Sequence, residues 1–120
     1  MVRPGRQKPD EFDPSGYRWM WLFAMFDLPT TDTALRREYT RFRKKLLSMG
    51  FCMLQFSVYA RHCVSEESGE GILEGISKSV PEHGQVRLML VTDRQFGKMR
   101  VFYGKKRHKA EDPPQQFMLF

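Results

Sequence analysis

One run of side chains constrains this chain of 120 residues more than any other. Trp19-Met20-Trp21-Leu22-Phe23-Ala24-Met25-Phe26 contains no polar residue, and Asp27, Leu28 and Pro29 follow it directly. The run is strand-sized and far short of the ~20 residues that a membrane span needs. It also lacks the polar alternation of a half-solvated strand, so it predicts a strand over Arg18–Leu28 buried on both faces, ended by Asp27 and Pro29. A strand of that kind needs a sheet around it and cover above and below.

The rest of the chain supplies both. Thr31 or Asp32 can cap a helix that Gly50 can stop, with Leu35, Tyr39, Phe42 and Leu46 along one stripe. Residues 51–63 are rich in Phe, Val, Tyr, Met and Leu. They read as one bent strand, or as two short strands with a bulge or tight turn near Gln55. Glu66 to Val80 forms a weaker helix: Ile72, Leu73, Ile76 and Val80 share a face, but Gly69, Gly71 and Gly75 lower its propensity. Val86–Thr92 and Met99–Tyr103 read as strands. If residues 51–63 split in two, the first six elements follow βαββαβ, the ferredoxin-like pattern. The expected class is therefore α+β, with both helices on one face of an antiparallel sheet. The strand at Met99–Tyr103 is surplus, and can extend its own sheet or pair with a neighbouring chain. The organisation expected is a leader over 1–16, a ferredoxin-like domain over 17–104, and a basic tail with an apolar end over 105–120.

Charge is distributed unevenly. The net charge of +6 conceals two basic blocks. Arg36, Arg37, Arg41, Arg43, Lys44 and Lys45 face only Glu38, and seven cations between Arg94 and Lys109 face no acid at all. Five glutamates between Glu66 and Glu82 face only Lys78. Such polarity favours a polyanion on one side. The bland alternative for Arg36–Lys45 is a solvated helix face. Residues 1–16 carry Pro4, Pro9 and Pro14 and no apolar core, so they do not read as a secretory signal. With only Cys52 and Cys63, a disulfide scaffold or closed zinc site is excluded, and a reduced cytoplasmic location is the default. Both cysteines read as small core residues.

Asp27 is the most informative single residue. The period of two sets it on the side of Trp21, Phe23 and Met25. Two roles fit it: a cap accepting hydrogen bonds from the turn Pro29–Thr31, or a ligand for Mg²⁺. One or two carboxylates suffice for that ion when nucleic-acid phosphates and waters complete its shell. The common nucleophilic constellations are absent. Adjacent His62 and Cys63 diverge on a strand, His83 and His108 lie in loop-like sequence, and the glycines of the second helix sit in an acidic stretch. Lys98–Gly104 lacks the aromatic and glycine pattern of an RNA-recognition motif. Arg36, Arg37, Lys105, Lys106 and Arg107 are the candidate phosphate contacts, placing a backbone without reading bases. Phe117 and Phe120, in the closing Phe-Met-Leu-Phe, are candidate anchors on a protein partner, the alternative being that they fold back on their own core.

Met25-Phe26-Asp27-Leu28-Pro29, a basic helix, Gly50-Phe51 and then Gln55-Phe56-Ser57-Val58-Tyr59 together resemble the small CRISPR-associated adaptation protein family, the CRISPR-associated endoribonuclease Two family. The likeness runs from about Trp19 to Tyr103 and is nearest the version found in type II systems. It implies a ferredoxin-like homodimer whose sheets pack together, with the surplus strand crossing to the partner's sheet. It implies that Asp27 is the metal-binding and catalytic residue, with Mg²⁺ as cofactor, and that Ser57 and Tyr59 are mainly structural. Phe26 stands where many members carry Tyr. Two activities follow from the resemblance. One is an architectural subunit that bridges copies of the CRISPR integrase and holds double-stranded DNA. The other is a Mg²⁺-dependent endonuclease acting on RNA or DNA.

Overall fold

The computed structural model describes residues 19–114, so the leader over 1–16 and the end Phe117–Phe120 lie outside the described residues. The elements in order are β1 (Met20–Asp27), α1 (Thr33–Ser48), β2 (Cys52–Gln55), β3 (Val58–Cys63), α2 (Glu66–Ser77), β4 (Gln85–Thr92), α3 (Asp93–Gly97), β5 (Val101–Tyr103) and β6 (Lys106–His108). The first four strands form one sheet in the order β2-β3-β1-β4. Every neighbouring pair in it is antiparallel. This mixed α+β arrangement fits the ferredoxin-like pattern. Residues 51–63 do split in two, at a turn over Phe56 and Ser57, and the register shifts between Met53 and Gln55.

Alternation along β1 divides the molecule into two layers. Met20, Leu22, Ala24 and Phe26 are buried against Phe42 and Leu46 of α1, Ile76 of α2, Phe51, Tyr59 and Cys63. Both long helices therefore lie on this face. Trp21, Phe23 and Met25 point the other way, where cover is incomplete. Trp21 is buried with Ala60 and Phe96, and Phe23, Leu54, Val91, Met99 and Ala110 pack around them. Phe23 and Met25 remain half-buried and Met89 is 48% exposed. The expectation of a strand buried on both faces thus holds only at its Trp21 end. The short helix α3 roofs that end, and no helix of the described residues lies over the other.

Asp32, not Thr31, caps α1, its carboxylate accepting from the Leu35 amide at 2.9 Å. After Ser48 the chain reverses through Gly50 at φ +87°, a conformation glycine adopts without strain. Helix α2 ends at Ser77, three residues before Val80. Helix α3 is too short to show a helical period in the sequence. It is set by a capping box in which Thr92 and Gln95 satisfy each other's backbone amides at 3.0 and 2.9 Å. The strand read at Met99–Tyr103 begins two residues later, at Val101. It pairs with Lys106–His108 in a separate two-stranded sheet, so the basic segment from Lys105 starts as the return arm of a hairpin. Among the described residues no helix is long and apolar enough to cross a membrane.

Candidate functional site

The C-terminal end of β1 gathers several features. Asp27 is exposed, and its backbone lies opposite Gln85, the first residue of β4. Gly84 makes that approach possible. A Cβ at this position would stand 2.5 Å from the Asp27 carbonyl oxygen, and φ is +89°. On the other side, the Phe26 amide donates to the Ser57 carbonyl at 3.0 Å, which brings the Phe56–Ser57 turn beside the same strand end. Phe56 is 82% exposed there. The sequence reading did not single it out; an aromatic in a tight turn was the available signal. The loop after Asp27 is tied to α1 by Arg36, whose guanidinium donates to the Thr30 carbonyl and the Thr33 hydroxyl, each at 3.2 Å.

The helix cap is a separate residue, Asp32. No hydrogen bond from the turn Pro29–Thr31 to the Asp27 carboxylate is present among the described residues. As an exposed hard-oxygen donor at a strand end, Asp27 suits Mg²⁺ sharing its shell with phosphates and water. Among the described residues no three His, Cys, Asp or Glu side chains are close enough to enclose a metal. Phe26 does not flank the Asp27 carboxylate. The Phe26 ring is buried on the helix side, 5.4 Å from the ring of Phe42 and 5.5 Å from that of Tyr59.

Tyr59, expected to be structural, and Arg43 of the first basic block serve the scaffold. Tyr59 is fully buried, and its hydroxyl accepts from Arg43 Nε at 2.8 Å, so one cation of the first basic block holds α1 to β3. Arg36, Arg37, Lys105, Lys106 and Arg107 are all exposed. The structure does not bring the two blocks together. Arg36 lies near Asp27, whereas the hairpin bearing Lys105–Arg107 follows α3, whose Asp93 amide bonds to Trp19 at the start of β1. Trp21 and Asp27 are separated by about 20 Å at the rise of an extended strand.

The remaining candidates are quickly placed. His62 is buried between the rings of Trp19 and Trp21, at 4.9 and 5.1 Å, and Cys63 lies in the helix-side core, so the two diverge as expected. Burial pushes the Cys63 thiol above the ordinary range, against the opposing pull of the Arg61 guanidinium. Cys52, read as a core residue, is exposed on the edge strand β2, where cover is thin. His83 is in a loop, with Nδ1 3.1 Å from Glu38 Oε2, while His108 lies in β6 rather than a loop.

An antiparallel sheet carrying two helices on one face, with a first strand that ends in an exposed carboxylate beside a basic helix, is a mixed α+β domain compatible with the ferredoxin-like fold. The family model described as CRISPR associated protein Cas2 matches residues 20–99. A protein of Parvibaculum lavamentivorans named CRISPR-associated endoribonuclease Cas2 is 48% identical over 101 residues, covering 84% of this chain and all of that protein. A protein of the same name from Flavobacterium psychrophilum is 48% identical over 104 residues, covering 87% of this chain and 90% of its own. One from Paracidovorax avenae is 41% identical over 106 residues, covering 88% and 98%. The chain belongs to the Cas2 family, as the residues Met25–Pro29 and Gln55–Tyr59 implied.

Proposed function

We propose that this chain is a subunit of the CRISPR adaptation complex, acting as a homodimer that bridges integrase copies and lays protospacer duplex DNA along its basic surface. The observation that carries this reading is the placement of exposed cations towards both ends of a sheet about 20 Å long. That length follows a phosphate backbone over about six base pairs at 3.4 Å per step, and a two-fold copy doubles the track. Arginines and lysines so placed fix position and not sequence. The half-covered face with Phe23, Met25 and Met89 supports the dimer, because apolar area of this kind is removed from water when two sheets pack. In such a dimer the outer edge of β5 is free to reach the partner's sheet, since its inner edge is taken by β6.

A second reading rests on a different observation, the exposure of Asp27 at a strand end, together with the name endoribonuclease borne by the relatives. Held by Asp27 with nucleic-acid phosphates and water, Mg²⁺ supplies polarisation of a phosphate and a lowered pKa for an attacking water. The chain's own part is to hold that carboxylate in place through β4 and the Gly84 approach. Arg36 offsets phosphate charge nearby.

Asp27→Ala separates the two readings when spacer integration and Mg²⁺-dependent cleavage of RNA and DNA are assayed side by side. We expect integration to persist and cleavage to be abolished. A variant that remains a folded dimer but integrates no spacers overturns the architectural reading. Unchanged cleavage removes Asp27 from the catalytic role.

A further inference from the structure

The first basic block is not one uniform surface. Arg36 is tied to the loop after β1, and Arg43 to the Tyr59 hydroxyl. Among the described residues, the side chains of Arg41 and Lys45 have neither a hydrogen-bond nor an ion-pair partner. They stand four residues apart on α1, a spacing at which like charges repel and weaken a helix slightly. Glu38, one turn before Arg41, does not neutralise them. Its carboxylate is engaged by His83, with Nδ1 3.1 Å from Oε2.

Arg41 and Lys45 both line a cleft of about 490 Å³ between α1 and the connection from α2 to β4. Phe42, Val80 and Pro81 supply its apolar wall. Val80 was expected on the stripe of α2, but the helix ends before it, and the side chain is left 45% exposed in this cleft. Half-buried Ser79 adds a hydroxyl with no partner among the described residues. Glu38 and Glu82 complete the lining. The volume falls within the range of about 300–1,000 Å³ common to small-ligand sites.

A ligand matched to such a lining has an anionic group for the two cations. It also has an apolar face for Val80 and Pro81, and hydroxyl donors for the two carboxylates. A ribonucleoside 5′-phosphate has all three. Acidic side chains are suited acceptors for the ribose 2′-hydroxyl. Rise along α1 sets Glu38 roughly 5–10 Å from Arg41 and Lys45, a span comparable with that from phosphate to ribose hydroxyls in one nucleotide.

We propose that the cleft between α1 and the α2–β4 connection binds a free ribonucleoside monophosphate. Arg41 and Lys45 hold the phosphate, Glu38 and Glu82 accept from the ribose, and the base lies on Val80 and Pro81. The cleft is on the helix side of the sheet. A subunit contact made by the half-covered face or by the hairpin β5–β6 therefore leaves it open. The proposal depends on neither activity considered above.

The test is calorimetric titration of the full-length protein with AMP, 2′-deoxy-AMP, adenosine and inorganic phosphate. AMP is expected to bind, and loss of its 2′-hydroxyl to weaken binding about tenfold, the contribution of one hydrogen bond to a charged group. Adenosine and inorganic phosphate are each expected to bind more weakly than AMP by about tenfold or more. Arg41→Gln combined with Lys45→Gln is expected to lower AMP to the affinity of adenosine. Glu82→Gln is expected to narrow the gap between AMP and its deoxy analogue. Amide spectra of the wild type give a second readout that needs no variant, with AMP expected to shift Ser79, Val80 and Glu82. Absence of AMP binding, or shifts confined to other segments, overturns the proposal. AMP bound no more tightly than inorganic phosphate overturns it too, by reducing the cleft to an unselective anion site. Displacement of AMP by a lower concentration of 5′-phosphorylated RNA overturns the free nucleotide and assigns the cleft to a strand end.

Discussion

Gly69 and Gly71 sit two positions apart in the same helix and face opposite environments. A Cβ on Gly69 would lie 2.6 Å from Leu90 Cδ2, so the absence of a side chain lets α2 approach β4. Gly71 has nothing within 4 Å of that position, and there the absence serves no packing. Both looked alike in the sequence, as helix-weakening residues in an acidic stretch. They are expected to respond with opposite signs. Gly71→Ala gains about 0.5–1 kcal/mol from helix propensity. Gly69→Ala loses about 1 kcal/mol, because overpacking against Leu90 outweighs the same gain. Urea denaturation of the two variants checks this, and stabilisation by both would remove the close-approach role of Gly69. Asp27 illustrates the same division. Its position at a strand end was legible from the apolar run before it, but its proximity to Phe56 and Gln85 was not. That proximity depends on which strands flank β1.

Among the elements, α3 shows how little sequence a structurally important piece needs. Five residues, begun by the Thr92–Gln95 capping box, set Phe96 flat on Trp21 with ring centroids 4.0 Å apart. Asp93 of the same turn accepts from Trp21 Nε1 at 2.8 Å. The Thr-x-x-Gln signal was present in the sequence, yet with a single helical turn there is no periodicity to support it. Thr92→Ala is expected to lower stability by about 1 kcal/mol. It is also expected to alter tryptophan fluorescence, because loosening the cap releases Phe96 from the Trp21 ring. An unchanged spectrum with unchanged stability would show that tertiary contacts alone hold α3. The hairpin was half legible: an apolar strand at Val101–Tyr103 has a strand composition, but Lys106-Arg107-His108 becomes a strand only because Gly104 turns the chain back on itself.

At the scale of the whole molecule, the proposed function links dimerisation to nucleic-acid binding. If a dimer neutralises about six phosphates on duplex DNA, log K falls with log salt at a slope near −5. Met89→Glu puts a charge on the half-covered sheet face opposite Phe23 and is expected to yield a folded monomer by light scattering. The slope of that monomer then falls to about half. A Met89→Glu protein that remains dimeric would place the interface elsewhere. The apolar end is tested separately. Pro113 is buried and Ala110 packs near Trp21, so truncation after Pro114 spares the packed chain. We expect an unchanged melting temperature and integrase binding weakened about tenfold, as follows if Phe117 and Phe120 anchor by strand addition. Early melting with normal integrase binding would instead make the end part of the core.

The order of elements through β4 and the helix-side core were set by local pattern. An apolar run, a stripe at helical spacing, a glycine stop and an acid before a proline each act over a few residues, so a linear reading recovers them. The family, too, is written in short contiguous motifs around Asp27 and Tyr59. Tertiary structure decided what depends on neighbours distant in sequence: which face of β1 is roofed and which is left half-covered, that Arg43 is held by the Tyr59 hydroxyl while Arg37 is exposed, and that Gly69 but not Gly71 sits at a close contact. Burial is a property of the space between elements. A residue's own type states only a preference for it, and the packing of α3, β4 and the long helices determines where that preference is met.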